Sequence, residues 1–438
     1  MISLSPVYQN QGRWKEAEAL EGRVMEVNLS MLDQEHPDTL TSVDNLASTY
    51  LHQGRWENAE EAFVRVIEMR KRVLGEEHPD TLTSVGNLAS TYCTQGQLKE
   101  AEELSVQVTK TKKMVLGQEH PETLTSMSNL ASICGRRGRW KEAEELFVQV
   151  FGMRERLIGL EHPSTLTSMN GLALTYLNQG QWKEAEKLFV QVIETEKRVL
   201  GHEHPTTLSG MANLASTYLN QGQWTEAEEL FAQVVNMCSR VLGQEHPCTL
   251  TSMNGLGSTY LNQGRWKEAE KLFVKVVETE KKAIGKEHPS ILSSMDNLAL
   301  TYLKQGRWKE AEELFMQVIT MRRKVLGQKH PETLTSMSNL ASIYGRQGRL
   351  KEAEKLFLHV LEMSSRVLGQ EHPQTLTTMN NLALIWKHQN RDAEALDLLS
   401  SCLEILTRKV GANHPNTLTC TQTYNTWKAK GHNKCQVM

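Results

Sequence analysis

Cysteine is sparse in this sequence, and nothing about its placement suggests a site. The seven residues, Cys93, Cys134, Cys238, Cys248, Cys402, Cys420 and Cys435, are irregularly spaced and none forms a CxxC pair. That argues against a zinc site or a disulfide framework. The opening residues, MISLSPVYQNQGRWKE, lack a basic stretch followed by an apolar run. With isolated cysteines this points to a reduced, cytoplasmic setting. No stretch approaches the roughly 20 apolar residues of a membrane span. No block of Lys and Arg stands out, and 49 basic residues against 52 acidic ones give a net charge of −3. Nucleic acid is therefore not an expected partner. Hydrophobic residues make up only 39%, which suits an elongated molecule with more surface per residue than a sphere. No Ser-His-Asp, Cys-His or paired-carboxylate arrangement stands apart from the general pattern. We expect no catalysis, small-molecule substrate, cofactor or metal.

Proline is rare as well, and its distribution is the main signal. Ten of the eleven prolines follow a histidine, at His36, His78, His120, His162, His204, His246, His288, His330, His372 and His414, always 42 residues apart. Internal repetition at such a period marks a solenoid or array. In the first unit the apolar residues Leu40, Val43, Leu46, Ala47 and Tyr50 recur at helical steps of three and four. After Gly54 a second helical run carries Trp56, Ala59, Phe63, Val66, Ile67 and Val73, and Gly75 ends it. Gly54 and its counterparts fall just past a helix end, where a left-handed conformation without steric cost is needed. Asn390 takes that place in the last unit, and asparagine is the next-best residue for it. Proline then opens the following helix, where its fixed φ and missing N–H do no harm.

Each unit is therefore helix, tight turn, helix, short loop. Neither helix buries its apolar stripe alone, so units must stack. The expected fold is all-α, a right-handed superhelical α-solenoid of helical hairpins. Residues 1–35 read as a truncated unit, mainly a second helix. Residues 36–413 are nine units starting at 36, 78, 120, 162, 204, 246, 288, 330 and 372, and 414–438 are a capping helix and tail.

The pattern Leu46-Ala47-x-x-Tyr50, Gly54-x-Trp56, Ala59 and Phe63 resembles the tetratricopeptide repeat, whose common unit is 34 residues. The longer unit, with LGxEHP before each first helix, resembles the kinesin light chain repeat. The wording TLTSMxNLAxTYxxQGRWKEAEELF is similar to the arrays of fungal NLR-like receptors, in which an NB-ARC or NACHT module precedes the repeats. No GxxxxGK[ST] occurs, and the heptad coiled coil of kinesin light chains is absent. The resemblance implies a scaffold that holds a protein or peptide in a concave groove lined by first helices. It leaves two settings open: the ligand-sensing region of an NLR-like receptor, or a kinesin light chain-like cargo adaptor.

Two first-helix positions vary among otherwise similar units. One runs Asp44, Gly86, Ser128, Asn170, Ala212, Asn254, Asp296, Ser338, Asn380; the other runs His52, Thr94, Arg136, Asn178, Asn220, Asn262, Lys304, Arg346, His388. They lie eight apart and are expected to share one side of the helix. The resemblance implies that this side faces the groove. Read functionally, they set specificity for a partner; read structurally, they are exposed positions free to drift. A third position is nearly constant: Asn45, Asn87, Asn129, Asn213, Asn297, Asn339 and Asn381, with Gly171 and Gly255 in two units. An amide both donates and accepts, so this ladder could bind a peptide backbone or bond between helices. The Trp series (Trp14, Trp56, Trp140, Trp182, Trp224, Trp266 and Trp308) and the Met series from Met127 are expected in the core, and the KEAEEL runs on solvated faces. At the C-terminus Cys435-Gln436-Val437-Met438 fits a CaaX prenylation signal behind Lys428, Lys430 and Lys434. Membrane attachment is expected only if Cys435 is lipidated.

Overall fold

The computed structural model describes residues 5–10, 13–283, 289–412 and 415–435, and these form 21 α-helices without a strand. From the first full unit onward the helices alternate, first helices such as Pro37–His52 with second helices such as Trp56–Val73. Among the described residues no helix is long and apolar enough to cross a membrane.

Local chemistry sets the element ends. The repeated histidine is the N-cap of each first helix: the Nδ1 of His36 accepts the Asp38 N–H at 3.2 Å, and His78, His120, His162, His204, His246, His330 and His372 do the same. One otherwise unpaired helix N–H is thereby satisfied. Gly54 ends the turn at φ 74°, and Asn390, in the same place, has φ 63°.

The core runs between hairpins. Ala59 and Phe63 are fully buried with Ala47, and Phe189, Phe273, Phe315 and Phe357 repeat the arrangement. The Met series at 42-residue spacing, Met127, Met169, Met211, Met253, Met295 and Met337, is buried as expected. The tryptophans are not: Trp224, Trp266 and Trp308 are 43%, 40% and 42% exposed. Each opens a second helix at the edge of the solenoid, so only one side of the indole meets the core.

Neighbouring units are also joined by a polar lattice. The Gln95 amide donates to Glu60 at 2.8 Å, and Gln305 to Glu270 at the same distance. Arg307 pairs with Glu270 at 2.7 Å while its guanidinium lies 4.1 Å over the Tyr302 ring. The second glutamate of each such run is thus an inter-repeat acceptor, while others, such as Glu103 paired with Lys99 at i,i+4, lie on the solvated face as expected.

First helices approach first helices one unit on (Pro205–Gln221 against Pro247–Asn262, for example), and second helices have no contact of similar extent. The first helices therefore lie at smaller radius and form the concave face. The superhelix winds tightly enough for its turns to meet. His330 Nε2 bonds the Thr94 carbonyl and His372 Nε2 the Arg136 carbonyl, both at 3.1 Å and across 236 residues, between five and six units. Trp56 stacks on His330, and Leu368 joins Cys93, Leu98 and Ile133 in one apolar cluster. A β-carbon on Gly96 would stand 2.6 Å from Pro331 Cδ, so glycine is needed for the approach.

Each seam histidine accepts at Nδ1 and donates at Nε2, which requires the neutral ring. Burial holds His330 and His372 below the ordinary histidine range. A base with a lowered folded-state pKa contributes stability that is fully present above the unfolded value, about 6.5. That stability is lost as pH falls through the lowered value. The hydrodynamic radius should therefore rise between pH 7.5 and pH 5 as the turns part. His330→Asn with His372→Asn, which keeps a capping side chain but loses the second bond, should be extended at both pH values. A wild-type radius independent of pH would contradict this account of the seam.

Candidate partner-binding groove

The exposed residues of a first helix define the lining of the concave face. In Pro37–His52 these are Thr41, Asn45 and His52, with Ser48 half-buried between them, while Thr39, Leu40, Ser42, Leu46, Ala47 and Thr49 are buried. The same pattern holds in later units: Thr125, Asn129, Ser132 and Arg136 are all exposed. The asparagine ladder and the His52 series therefore share one stripe with the Thr41 series, which is Thr or Ser in every unit, and the Ser48 series, which is Ser in six units and Leu174, Leu300 and Leu384 in the others.

The Asp44 series lies elsewhere. Asp44 is 8% and Asp296 7% exposed, and Asn170, Asn254 and Asn380 are half-buried. Residues eight apart on a helix miss alignment by about 80°, whereas seven apart miss by only about 20°. The Asn45 position, seven from His52, is thus in line with it, and the Asp44 position turns toward the next hairpin. This corrects the placement of Asp44, Asn170, Asn254, Asp296 and Asn380 on an open recognition surface.

What the Asp44 series meets explains its variation. It faces a second, buried variable series near the end of each second helix: Arg70, Lys112, Arg154, Glu196, Cys238, Glu280, Arg322 and Ser364. Arg70 is 4% exposed, pairs with Asp44 at 3.4 Å and donates to Ser84 Oγ at 2.6 Å. Arg322, 2% exposed, binds Asp296, Ser336 Oγ and, at 2.9 Å, the Glu332 carbonyl. Where the second helix carries Glu196 or Glu280, the facing residue is an amide, Asn170 or Asn254, and Asn254 donates to Ser294 at 2.9 Å. Lys112 faces Gly86 and pairs instead with Glu122 at 2.9 Å. Several junctions thus have their own polar match, in units otherwise so alike that slipped pairings compete, whereas Glu196 Oε2 and Glu280 Oε2 are buried without a hydrogen-bond partner among the described residues.

The remaining candidates stay on the stripe. His52, Arg136, Asn178, Asn220, Asn262, Lys304, Arg346 and His388 are exposed at the C-terminal ends of their helices. His52 is stacked on Trp14 with ring centroids 4.9 Å apart, and Arg136 donates to the Cys93 carbonyl at 2.9 Å beside the seam. Asn220 and Asn262 each donate to a carbonyl of their own helix at 3.0 Å. In the ladder, Asn213 donates to Asn170 at 3.4 Å. Among the described residues the amides of Asn45, Asn87, Asn129, Asn297, Asn339 and Asn381 have no side-chain bond. At the two gaps the ring of the preceding unit's Phe occupies the space, and a β-carbon on Gly171 would stand 2.5 Å from Phe147 and one on Gly255 2.3 Å from Phe231. Across the nine units the four stripe positions hold no Asp or Glu, and they hold Arg136, Lys304 and Arg346. The lining is neutral to positive although the chain is net negative.

Among the described residues no group of three His, Cys, Asp or Glu could hold a metal ion. The helix Pro415–Cys435 ends at the candidate prenylation residue; the Cys435 side chain lies outside the described residues, as do residues 436–438.

Tetratricopeptide-repeat models match almost the whole chain, at residues 1–38 and in overlapping spans from 38–114 to 332–408. The chain belongs to the tetratricopeptide-repeat family, and its fold is a solenoid suited to protein–protein interaction. It is similar to solved structures of kinesin light chain-like repeats. One, a Podosopora anserina putative kinesin light chain with nearly identical TPR-like repeats, is 38% identical over 47% of this chain and 97% of that one, with TM-score 0.41. BtubC (BKLC) from P. vanneervenii is 18% identical over 52% of this chain and 92% of its own, with TM-score 0.44. A Rap protein complexed with Competence and Sporulation Factor is 11% identical over 80% of this chain and 98% of its own, with TM-score 0.50. No curated protein matches the sequence.

Proposed function

We propose that the concave stripe holds an extended, acidic segment of a partner protein, and that the chain is a non-catalytic scaffold. One observation carries the reading: the stripe presents an unbonded amide in six of the nine units, excludes acids and places cations at Arg136, Lys304 and Arg346. Amides at regular intervals suit a main chain, whose donors and acceptors also recur. Cations on the same face suit carboxylates between them and repel basic segments. The tight winding favours an extended chain over a folded domain. In its cellular setting the scaffold resembles the ligand-sensing array of fungal NLR-like receptors. A kinesin light chain-like cargo adaptor is the alternative, and co-purification of a kinesin heavy chain would favour it. Prenylation at Cys435 would add a membrane tether, read directly as the mature mass from eukaryotic cells.

Lys304→Glu with Arg346→Glu tests the charge reading, since both side chains are exposed and away from the buried junctions. Affinity for an acidic peptide partner should fall about tenfold or more, 1.4 kcal/mol per decade, with helicity unchanged. Equal affinity in a folded variant would remove both residues from the groove.

A further inference from the structure

The junction between the fifth and sixth units carries a pair of thiols where other junctions carry charges. Cys238 Sγ and Cys248 Sγ are 3.0 Å apart. Cys238 stands near the end of helix Trp224–Val241, in the place of Lys112 and Arg322; Cys248 is the second residue of helix Pro247–Asn262, in the place of Glu122 and Glu332. At those two junctions the same pair of positions forms an ion pair, Lys112–Glu122 at 2.9 Å and Arg322–Glu332 at 3.3 Å. Other junctions place one charge against a neutral residue, as Arg154 with Ser164 and Glu280 with Ser290, or none, as Ser364 with Gln374; at this junction both places are cysteine.

From this geometry we infer that Cys238 and Cys248 are a site of reversible oxidation by peroxides, whose product is a disulfide that fixes the fifth unit to the sixth. The sulfurs need to close by only about 1 Å to reach bonding distance. The two thiols differ in access. Cys238 is fully buried, whereas Cys248 is half-buried. Cys248 also sits in a first helical turn, where unpaired N–H groups favour an anion. Hydrogen bonding from Cys238, together with Ser209 and Ser252, brings the Cys248 thiol down to about 7 against the effect of its burial, and the same contact raises Cys238. Cys248 is the attacking group and Cys238 the resolving one.

The chemistry balances with hydrogen peroxide as oxidant. The Cys248 thiolate attacks one peroxide oxygen, the O–O bond breaks, and hydroxide leaves a sulfenic acid. The Cys238 sulfur then attacks that sulfur, its proton passes to the departing oxygen, and water is lost as the S–S bond forms. Two thiols and one peroxide give one disulfide and two waters. A dithiol reductant returns both thiols. The cross-link lies at the N-terminal end of the stripe, beside Ser209, the Thr41 counterpart of the fifth unit. It therefore stiffens the superhelix at one edge of the groove and leaves the Asn45, Ser48 and His52 counterparts uncovered.

Cys402 and Cys420 provide an internal comparison. They also interact, but they are 0% and 3% exposed, so peroxide has no ready access.

The test is to expose the full-length chain to hydrogen peroxide, alkylate the remaining thiols, and digest with trypsin without reduction. Cleavage after Arg240 separates the two cysteines unless a disulfide joins them. The expected result is a joined Cys238–Cys248 peptide pair lacking two hydrogens, lost on dithiol treatment, with Cys402 and Cys420 still alkylated. Cys248→Ser should abolish the link and leave Cys238 alkylatable. Serine is tolerated in this place, since Ser164 and Ser290 occupy it in other units. Both cysteines recovered singly alkylated, or Cys248 joined to a second chain, would overturn the proposal.

Discussion

Asp296→Ala is expected to destabilise the chain by about 3–5 kcal/mol, the range for removing one partner of a buried ion pair. Asp296 accepts from Arg322 and Ser336, and all three are buried. Without it the Arg322 guanidinium keeps Ser336, the Glu332 carbonyl and, at 3.3 Å, only the solvent-exposed Glu332 carboxylate, which compensates the buried charge weakly. The cost is the desolvation of that charge, not the loss of one contact. Adding Arg322→Met should recover most of the stability, because replacing both members of such a pair with apolar groups is often neutral. Urea unfolding of the single and double variants measures this. A single variant as stable as the parent would show that Arg322 finds another partner or reaches water. Asp44→Ala should act in the same direction on Arg70.

Glu196→Gln is expected to stabilise the chain at pH 8 by about 2 kcal/mol and to do little at pH 4. Glu196 is 3% exposed and its Oε2 has no hydrogen-bond partner. Burial pushes its carboxyl up to about 7. The folded-state pKa is thus raised above the unfolded value, so the folded state holds a proton that the unfolded chain has released. The stability from that proton is fully present below the unfolded pKa of about 4.3 and is lost as pH rises through 7. An amide has no such loss, so variant and parent should diverge on going from pH 4 to pH 8. Parallel stability curves across that range would show that Glu196 titrates normally. Gly210 faces this carboxylate, and a β-carbon there would stand 3.3 Å from Oε2, so a small residue is favoured.

The fold was legible because repetition made every local signal recur. Helical spacing, the glycine after each first helix and the proline opening the next all mark boundaries by backbone chemistry, and Asn390 could be read as left-handed from position alone. The candidate site was legible only in part. Periodicity tells which residues share a face only if the angle is carried through, and a spacing of eight misplaces the Asp44 series by most of a quarter turn. Variation between units was a second false guide. It marks buried junctions such as Asp296 with Arg322 as strongly as it marks exposed stripe positions such as Lys304, because a matched pair varies at both ends. Near-invariance misled in the opposite direction: Thr41 lines the groove, and Glu60 binds the next unit. The seam between superhelical turns had no signal in the sequence, since Thr94 and His330 meet only through the accumulated rotation of the intervening units.

The central claim is that recognition lies on the asparagine stripe and not on the variable buried junctions. Its most direct test is partner capture from native cells, with mass spectrometry, by the parent chain and by one carrying Asn45, Asn87, Asn129, Asn297 and Asn339 all replaced by alanine. These side chains make no bond within the described residues, so the variant should remain helical and compact. The account predicts that a reproducible partner of the parent is lost from the folded variant. Undiminished capture of the same partner would contradict it.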